Sequence, residues 1–174
     1  MIVKAIDKKP EFQSLLSDSG FFPAFLESQS NNPKTGRYSI LMAAPSMELY
    51  AHDEVALTEL LETIDQKPKP ESSDLPFESG WLVYLSYECA AYFEGKLSQV
   101  MPQHSQEPLA VAIYCQGAVV YDHIDHQAFI SAEGEQVLAS IEEKLNKVIP
   151  VVQYPLAEFK VQEEGGDSFQ EQVI

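Results

Sequence analysis

"RYSILMAAPSMELYAHD", residues 37–53, is the stretch on which the fold turns. Arg37 to Pro45 form a nearly unbroken apolar run and read as a buried strand. "MELYAHD" also reads as extended. The Pro-Ser pair between the two runs reads as a turn, so they are expected to pair as a hairpin.

Working toward the N-terminus, "FFPAFLES" (21–28) reads as a strand with its proline near the start, where a missing N–H is tolerable. "QSNNPKTG" (29–36) is a loop by composition. "KPEFQSLLSDSG" (9–20) reads as a short helix with Phe12, Leu15 and Leu16 on one face. "IVKAI" (2–6) is a short strand.

Toward the C-terminus, "EVALTELLETIDQ" places Val55, Leu57, Leu60, Leu61 and Ile64 at helical spacing. A polar, proline-bearing linker follows near 67–76. In "GWLVYLSYE" (80–88) both alternating faces are largely apolar, which reads as an interior strand covered on both sides. Its rings, Trp81, Tyr84 and Tyr87, read as core. "ECAAYFEG" then turns helical. Three more strands are expected in "LAVAIYC", "AVVYDH" and "QAFIS", with Gly117 and "DHIDH" as turns. "GEQVLASIEEKLNKVI" is an amphipathic helix carrying Val137, Leu138, Ile141, Leu145 and Val148. The class expected is α+β: layered antiparallel β-sheets, sandwich-like, with helices outside.

The 174 residues suffice for one domain or a piece of a larger fold. A formal net charge of −16 argues against nucleic acid and anionic membranes, since phosphate binding needs clustered cations. No run approaches the about 18 apolar residues of a membrane span, and the N-terminus lacks an apolar signal core. A cytoplasmic location is the expectation. Cys89 and Cys115 stand far apart without CxxC spacing and are expected as free thiols. His123 and His126 lie three apart, a spacing that a strand or turn does not aim at one metal.

No nucleotide loop, zinc helix or nucleophile elbow is present, so the sequence shows no catalytic machinery. Two readings stay open for the "FLES" and "GRYS" stretches. Glu27, Ser28 and Arg37 offer a carboxylate, a hydroxyl and a guanidinium beside apolar strands, a set that can hold a zwitterion. The same residues can equally form a structural Glu27–Arg37 pair that closes the loop.

Taken in order, "FLES…GRYSILMAAP", "LPFESGWLVYLSYECAAYFEGKL" and "PLAVAIYCQGAVVYDH" resemble the N-terminal region of one family. These are the chorismate-utilising, amidotransferase-coupled synthases: anthranilate synthase component I and aminodeoxychorismate synthase component I. The likeness spans roughly residues 20 to 125. It rests on order and spacing, because no single motif is specific. Ser79 stands where the family pattern has the first of two glycines. The compact "FLES–loop–GRYSILMAAP" arrangement looks more like the aminodeoxychorismate branch.

The resemblance implies an N-terminal domain over 1–160. It also implies the start of a C-terminal chorismate-binding domain over 161–174, where Ser168 and Glu171 form a capping box. On this reading the chain is a non-catalytic fragment. Its parent, with a glutamine amidotransferase subunit, would convert chorismate to 4-amino-4-deoxychorismate for p-aminobenzoate and folate synthesis. Mg2+ would serve in the C-terminal domain. The family's tryptophan pocket, carried over, falls on Leu26, Glu27, Ser28, Arg37, Tyr38 and Ser39. Leu26 and Tyr38 would pack the indole, and Ser28 and Arg37 would meet its polar ends. The alternatives are the tryptophan-inhibited anthranilate branch and a stand-alone amino-acid-binding module.

Overall fold

The computed structural model describes residues 1–28, 36–67, 74–94 and 107–147. Its strands are β1 (Ile2–Ile6), β2 (Ala24–Leu26), β3 (Tyr38–Ala51), β4 (Gly80–Leu85), β5 (Ala110–Asp122) and β6 (Gln127–Ala132). Its helices are α1 (Phe12–Leu15), α2 (Glu54–Gln66), α3 (Ala90–Phe93) and α4 (Glu135–Asn146). The strands pair antiparallel in one sheet of order β1-β6-β5-β3-β2, with β4 also on β5. The fold is α+β, as the sequence indicates.

Both expected hairpins of the central region are replaced by long strands. Residues 38–51 form one continuous strand, and Pro45 and Ser46 make a bulge in it instead of a turn. Residues 110–122 are likewise continuous through Gly117. The two strands pair along their whole length, from Tyr38↔Asp122 to Ala51↔Ala110. β3 occupies one edge of β5. On the other edge β6 pairs with residues 117–122 and β4 with residues 110–115, end to end.

The bulge decides where the cores lie. Before it, Ala43 faces Gly117; after it, Met47 faces Tyr114, so β3 has gained one residue on β5. One extra residue turns every later side chain of that strand to the opposite face. Leu41 and Ala43 therefore join a core with Val119, Tyr121, Ile130 and α4 residues Leu138 and Ile141. Leu49 and Ala51 join a second core with Ala110, Ala112 and α2 residues Leu57 and Leu60. On the unbulged β5, Ala112 and Val119 are seven positions apart, an odd number, and so point to opposite faces. Among the described residues there is thus a single sheet, covered by helices on one face at one end and on the other face at the other end.

The helices form where their apolar periodicity indicates. Asp53 caps α2, its side chain accepting from the Ala56 N–H at 2.8 Å. α1 is shorter than its pattern suggests, a single turn that buries Phe12 and Leu15. α3 is equally short and follows a 3-10 turn over Tyr87–Cys89. The "DSFQEQVI" helix expected from the capping box, and the rest of 148–174, lie outside the described residues. So does most of the linker.

β4 departs most from expectation. Trp81 packs edge-on against Tyr114, with ring centroids 5.1 Å apart, and borders the second core. Tyr84 is 58% exposed and Tyr87 80%, so these rings are not core. Across three strands Tyr50, Val111 and Tyr84 stand side by side on the face opposite α2. A run apolar on both faces encodes an absence of charge, which an exposed edge shares with an interior strand.

Cys89 and Cys115 are free and buried, as the spacing suggested. Burial pushes the Cys115 thiol up to about 11. Among the described residues no helix is long and apolar enough to cross a membrane.

Two small residues beside the bulge have opposite needs. A Cβ on Gly117 would meet the Ser131 carbonyl oxygen at 2.4 Å and Ile141 Cδ1 at 2.9 Å. Ala44 sits at φ 55°, left-handed backbone that disfavours any Cβ. Gly117→Ala is expected to destabilise by about 1–3 kcal/mol through overpacking. Ala44→Gly is expected to be neutral or to stabilise by up to about 1 kcal/mol. Urea unfolding of both variants checks this, and equal losses at the two positions would contradict it.

Candidate functional site

At the end of the sheet farthest from α2, β2 lies against β3 with Leu26 opposite Ile40. Phe25 and Leu41 belong to the first core, so Leu26 and Ile40 point to the other face. Tyr38, two residues from Ile40, shares that face. The two residues expected to pack an aromatic ligand are therefore brought together. Leu26 is 51% exposed, and Tyr38 is half-buried.

Ser28 and Ser39 hold this end closed. The Ser28 hydroxyl donates to the Tyr38 carbonyl at 2.5 Å. The Ser28 N–H donates to the Ser39 hydroxyl at 3.2 Å. Ser39 is buried and shares a 2.7 Å hydrogen bond with His123 Nε2. The His123 ring meets Tyr121 edge-on, and Lys9 Nζ lies 4.6 Å from the centre of the Tyr121 ring. Glu27 stands exposed at the end of β2.

Arg37, the chain's only arginine, closes the loop through the turn after β5. Its Nε donates to Asp122 Oδ2 at 2.8 Å, and its Nη2 lies 2.9 Å from Asp125 Oδ2. The same guanidinium sits 5.0 Å from the Tyr38 ring centre. Its carbonyl accepts from the His123 N–H at 2.8 Å. Arg37 thus closes this end through Asp122 and Asp125, partners that differ from the Glu27 expected from the sequence.

Asp122 is the keystone that sequence reasoning missed. Its side chain is 5% exposed. Oδ1 accepts from the N–H groups of Ile124 and Asp125, at 2.8 and 3.2 Å, and so shapes the turn to β6. Burial alone would raise its pKa. The Arg37 guanidinium and the two backbone donors outweigh burial and hold the carboxyl below its usual range. The available signal is the "YDHIDH" cluster, in which Asp122 falls at a strand end just before the turn. His126 goes to a different partner, its Nδ1 3.4 Å from the Tyr121 hydroxyl. Among the described residues no cluster of His, Cys, Asp or Glu could hold a metal ion.

The arrangement brings these side chains to one end of the sheet. It offers an apolar wall, Leu26 and Tyr38, beside a partly exposed guanidinium. Asp125 is 56% exposed, and exposed ion pairs are weak. A ligand carboxylate could displace it while the buried Asp122 contact stays in place. The set of six residues therefore includes one group fit for a carboxylate, Arg37. Ser28 and Ser39 already spend their hydroxyls on the fold.

A family model described as chorismate binding enzyme matches residues 23–172, most of the chain, including all six of these residues. None of the curated proteins compared with the chain matches it.

The lowered Asp122 pKa sets an acid limb. Its contribution to stability is complete above the ordinary carboxyl value of 3.8 and is lost as pH falls through the lower folded value. Asp122→Asn keeps an acceptor for the turn but loses the charge. It is expected to show weaker pH dependence below 3.8, in thermal melts over pH 2–5. Asp122→Ala also strands the turn's N–H groups and is expected to cost about 1–3 kcal/mol at neutral pH. An unchanged acid limb in the Asn variant would contradict this assignment.

Proposed function

This chain belongs to the chorismate binding enzyme family, and from that premise we propose that it is the N-terminal part of an aminodeoxychorismate synthase component I. The observation that carries this reading is the ordered set of strands "FLES", "GRYSILMAAP", "GWLVYLSYE" and "AVVYDH", which lie within the family match. The first three of these segments, with β5, meet in one sheet.

In this proposal the parent protein converts chorismate to 4-amino-4-deoxychorismate in the cytoplasm. A glutamine amidotransferase subunit supplies ammonia, which adds to the chorismate ring as the hydroxyl departs. Mg2+, assigned in this proposal to the parent's C-terminal chorismate-binding domain, would supply Lewis acidity at the leaving oxygen when bound. The described residues offer no cluster fit for it, and no chemical step is assigned to them. Their part is to build the sheet and to present the surface around Leu26, Tyr38 and Arg37.

We propose L-tryptophan as the ligand of that surface. The indole would lie on Leu26 and Tyr38, and the carboxylate would replace Asp125 on Arg37. Glu27, exposed beside them, would take the ammonium, and Ser28 and Ser39 would hold the strand ends in register. In this proposal the rest of the parent supplies the second wall on which affinity depends.

The deciding experiment supplies the parent protein with its amidotransferase subunit, chorismate, glutamine and Mg2+, and identifies the product. Aminodeoxychorismate, seen as p-aminobenzoate after addition of the appropriate lyase, is expected. Anthranilate would place the chain in the other branch of the family. Formation of neither product would overturn the reading. For the ligand, Arg37→Ala in the same protein is expected to weaken tryptophan binding about tenfold or more by calorimetry, the cost of losing one charge-assisted contact. Unaltered affinity would remove Arg37 from the site.

A further inference from the structure

A concavity lies elsewhere in the fold. It is a cavity of about 570 Å³ between the end of β1, the segment leading into α1, and the last turn of α4. That volume is in the range of about 300–1,000 Å³ typical of small-molecule sites. Its floor is apolar: Ile6, Leu15, Ile130 and Leu145, with Leu15 and Ile130 fully or nearly buried in the first core. The tryptophan surface of β2 and β3 shares no residue with it.

The rim carries both signs of charge. Lys8 and Lys9 stand beside Asp7 and Glu11; none of the four makes an ion pair among the described residues, and the Lys9 ammonium lies over the Tyr121 ring at 4.6 Å, a contact a ligand carboxylate would share or displace. The other charged groups there are already engaged. Glu142 pairs with Lys4, and Lys147 pairs with Glu143 at 2.7 Å. In a chain with 11 cationic and 27 acidic side chains, three lysines around one cavity is a local concentration of positive charge. It stands beside acids in equal number: Asp7, Glu11 and Glu142.

A simple anion would meet the rim acids, and a simple cation would meet the lysines. A zwitterion satisfies both, since opposite charges attract at these separations and like charges repel. The end of α4 adds to this preference, because the carbonyls of a helix C-terminus carry partial negative charge that favours an ammonium. The apolar floor asks for an apolar side chain.

We propose that this cavity binds a zwitterionic α-amino acid with a large apolar side chain. The carboxylate meets the Lys8 and Lys9 ammoniums, and the ammonium meets Asp7, Glu11 and the end of α4. The side chain lies on Ile6, Leu15, Ile130 and Leu145. The site is separate from the β2–β3 surface and does not rest on the proposed activity.

Calorimetry and ligand-observed NMR on the 174-residue chain at low salt test this, with L-phenylalanine and L-leucine as probes. Saturable binding of both is expected. Phenethylamine and 3-phenylpropionate, each keeping one charge, are expected to bind at least tenfold more weakly. The double variant Lys8→Ala/Lys9→Ala is expected to lose tenfold or more, and Leu145→Trp, which fills the cavity, to lose binding. Lys8 and Lys9 are exposed and the double variant gives up only the Lys9 contact with the Tyr121 ring, so it should lose little stability and stay folded in the binding assay. Arg37→Ala should leave L-phenylalanine binding unchanged, which separates this cavity from the tryptophan surface. Absence of saturable binding at millimolar probe overturns the proposal. So do equal affinities for the singly charged analogues, or sensitivity to Arg37→Ala without sensitivity to the lysine pair.

Discussion

The β3–β5 ladder, with one extra residue on β3, is the constraint on which the structure rests. Backbone hydrogen bonds in a ladder tie two strands in register, and side chains alternate strictly between faces. The inserted residue near Pro45 and Ser46 lets one pair of strands serve two cores on opposite faces. Without it, Leu49 and Ala51 would turn away from α2, and their burial against Leu57 and Leu60 would be lost. Ala44 in left-handed backbone and Gly117 with a helix pressed against it are local consequences of this arrangement.

The candidate site depends on the same ladder. Tyr38 and Asp122 are its terminal pair, so Arg37 and the turn after Asp122 leave the sheet side by side. The guanidinium bridging Asp122 and Asp125 then fixes that end, and Ser28, Ser39 and His123 tie β2 and the turn to it. Arg37 is held by a buried partner on one side and an exposed one on the other. This leaves a cation fixed on its buried side and only weakly engaged on its exposed side.

The helices α2 and α4 were legible because a 3.6-residue apolar period survives any tertiary context. The α+β class was legible for the same reason. The long strands were not, because Pro45-Ser46 and Gly117 carry turn chemistry that the fold uses otherwise. One makes a bulge; the other admits Ile141 and the Ser131 carbonyl close to the backbone. β4 was misread because apolar content does not report exposure. Within the site, Leu26, Tyr38 and Arg37 were legible as residue types. The Arg37–Asp122 contact spans 85 residues and leaves no local pattern. The rim of the β1–α4 cavity was equally invisible, since it joins residues 6–15 to residues 130–147 only through the fold.

Native-state hydrogen exchange along β3 and β5, followed through increasing denaturant, tests the shared ladder most directly. If one pair of strands supports both cores, amides near Leu41 and Val119 and amides near Ala51 and Ala110 should open in one cooperative step. They should then share a single free energy and a single denaturant slope. Two separate opening energies, each with its own slope and divided at the bulge, would mean that the halves stand independently and that the ladder is not what unites them.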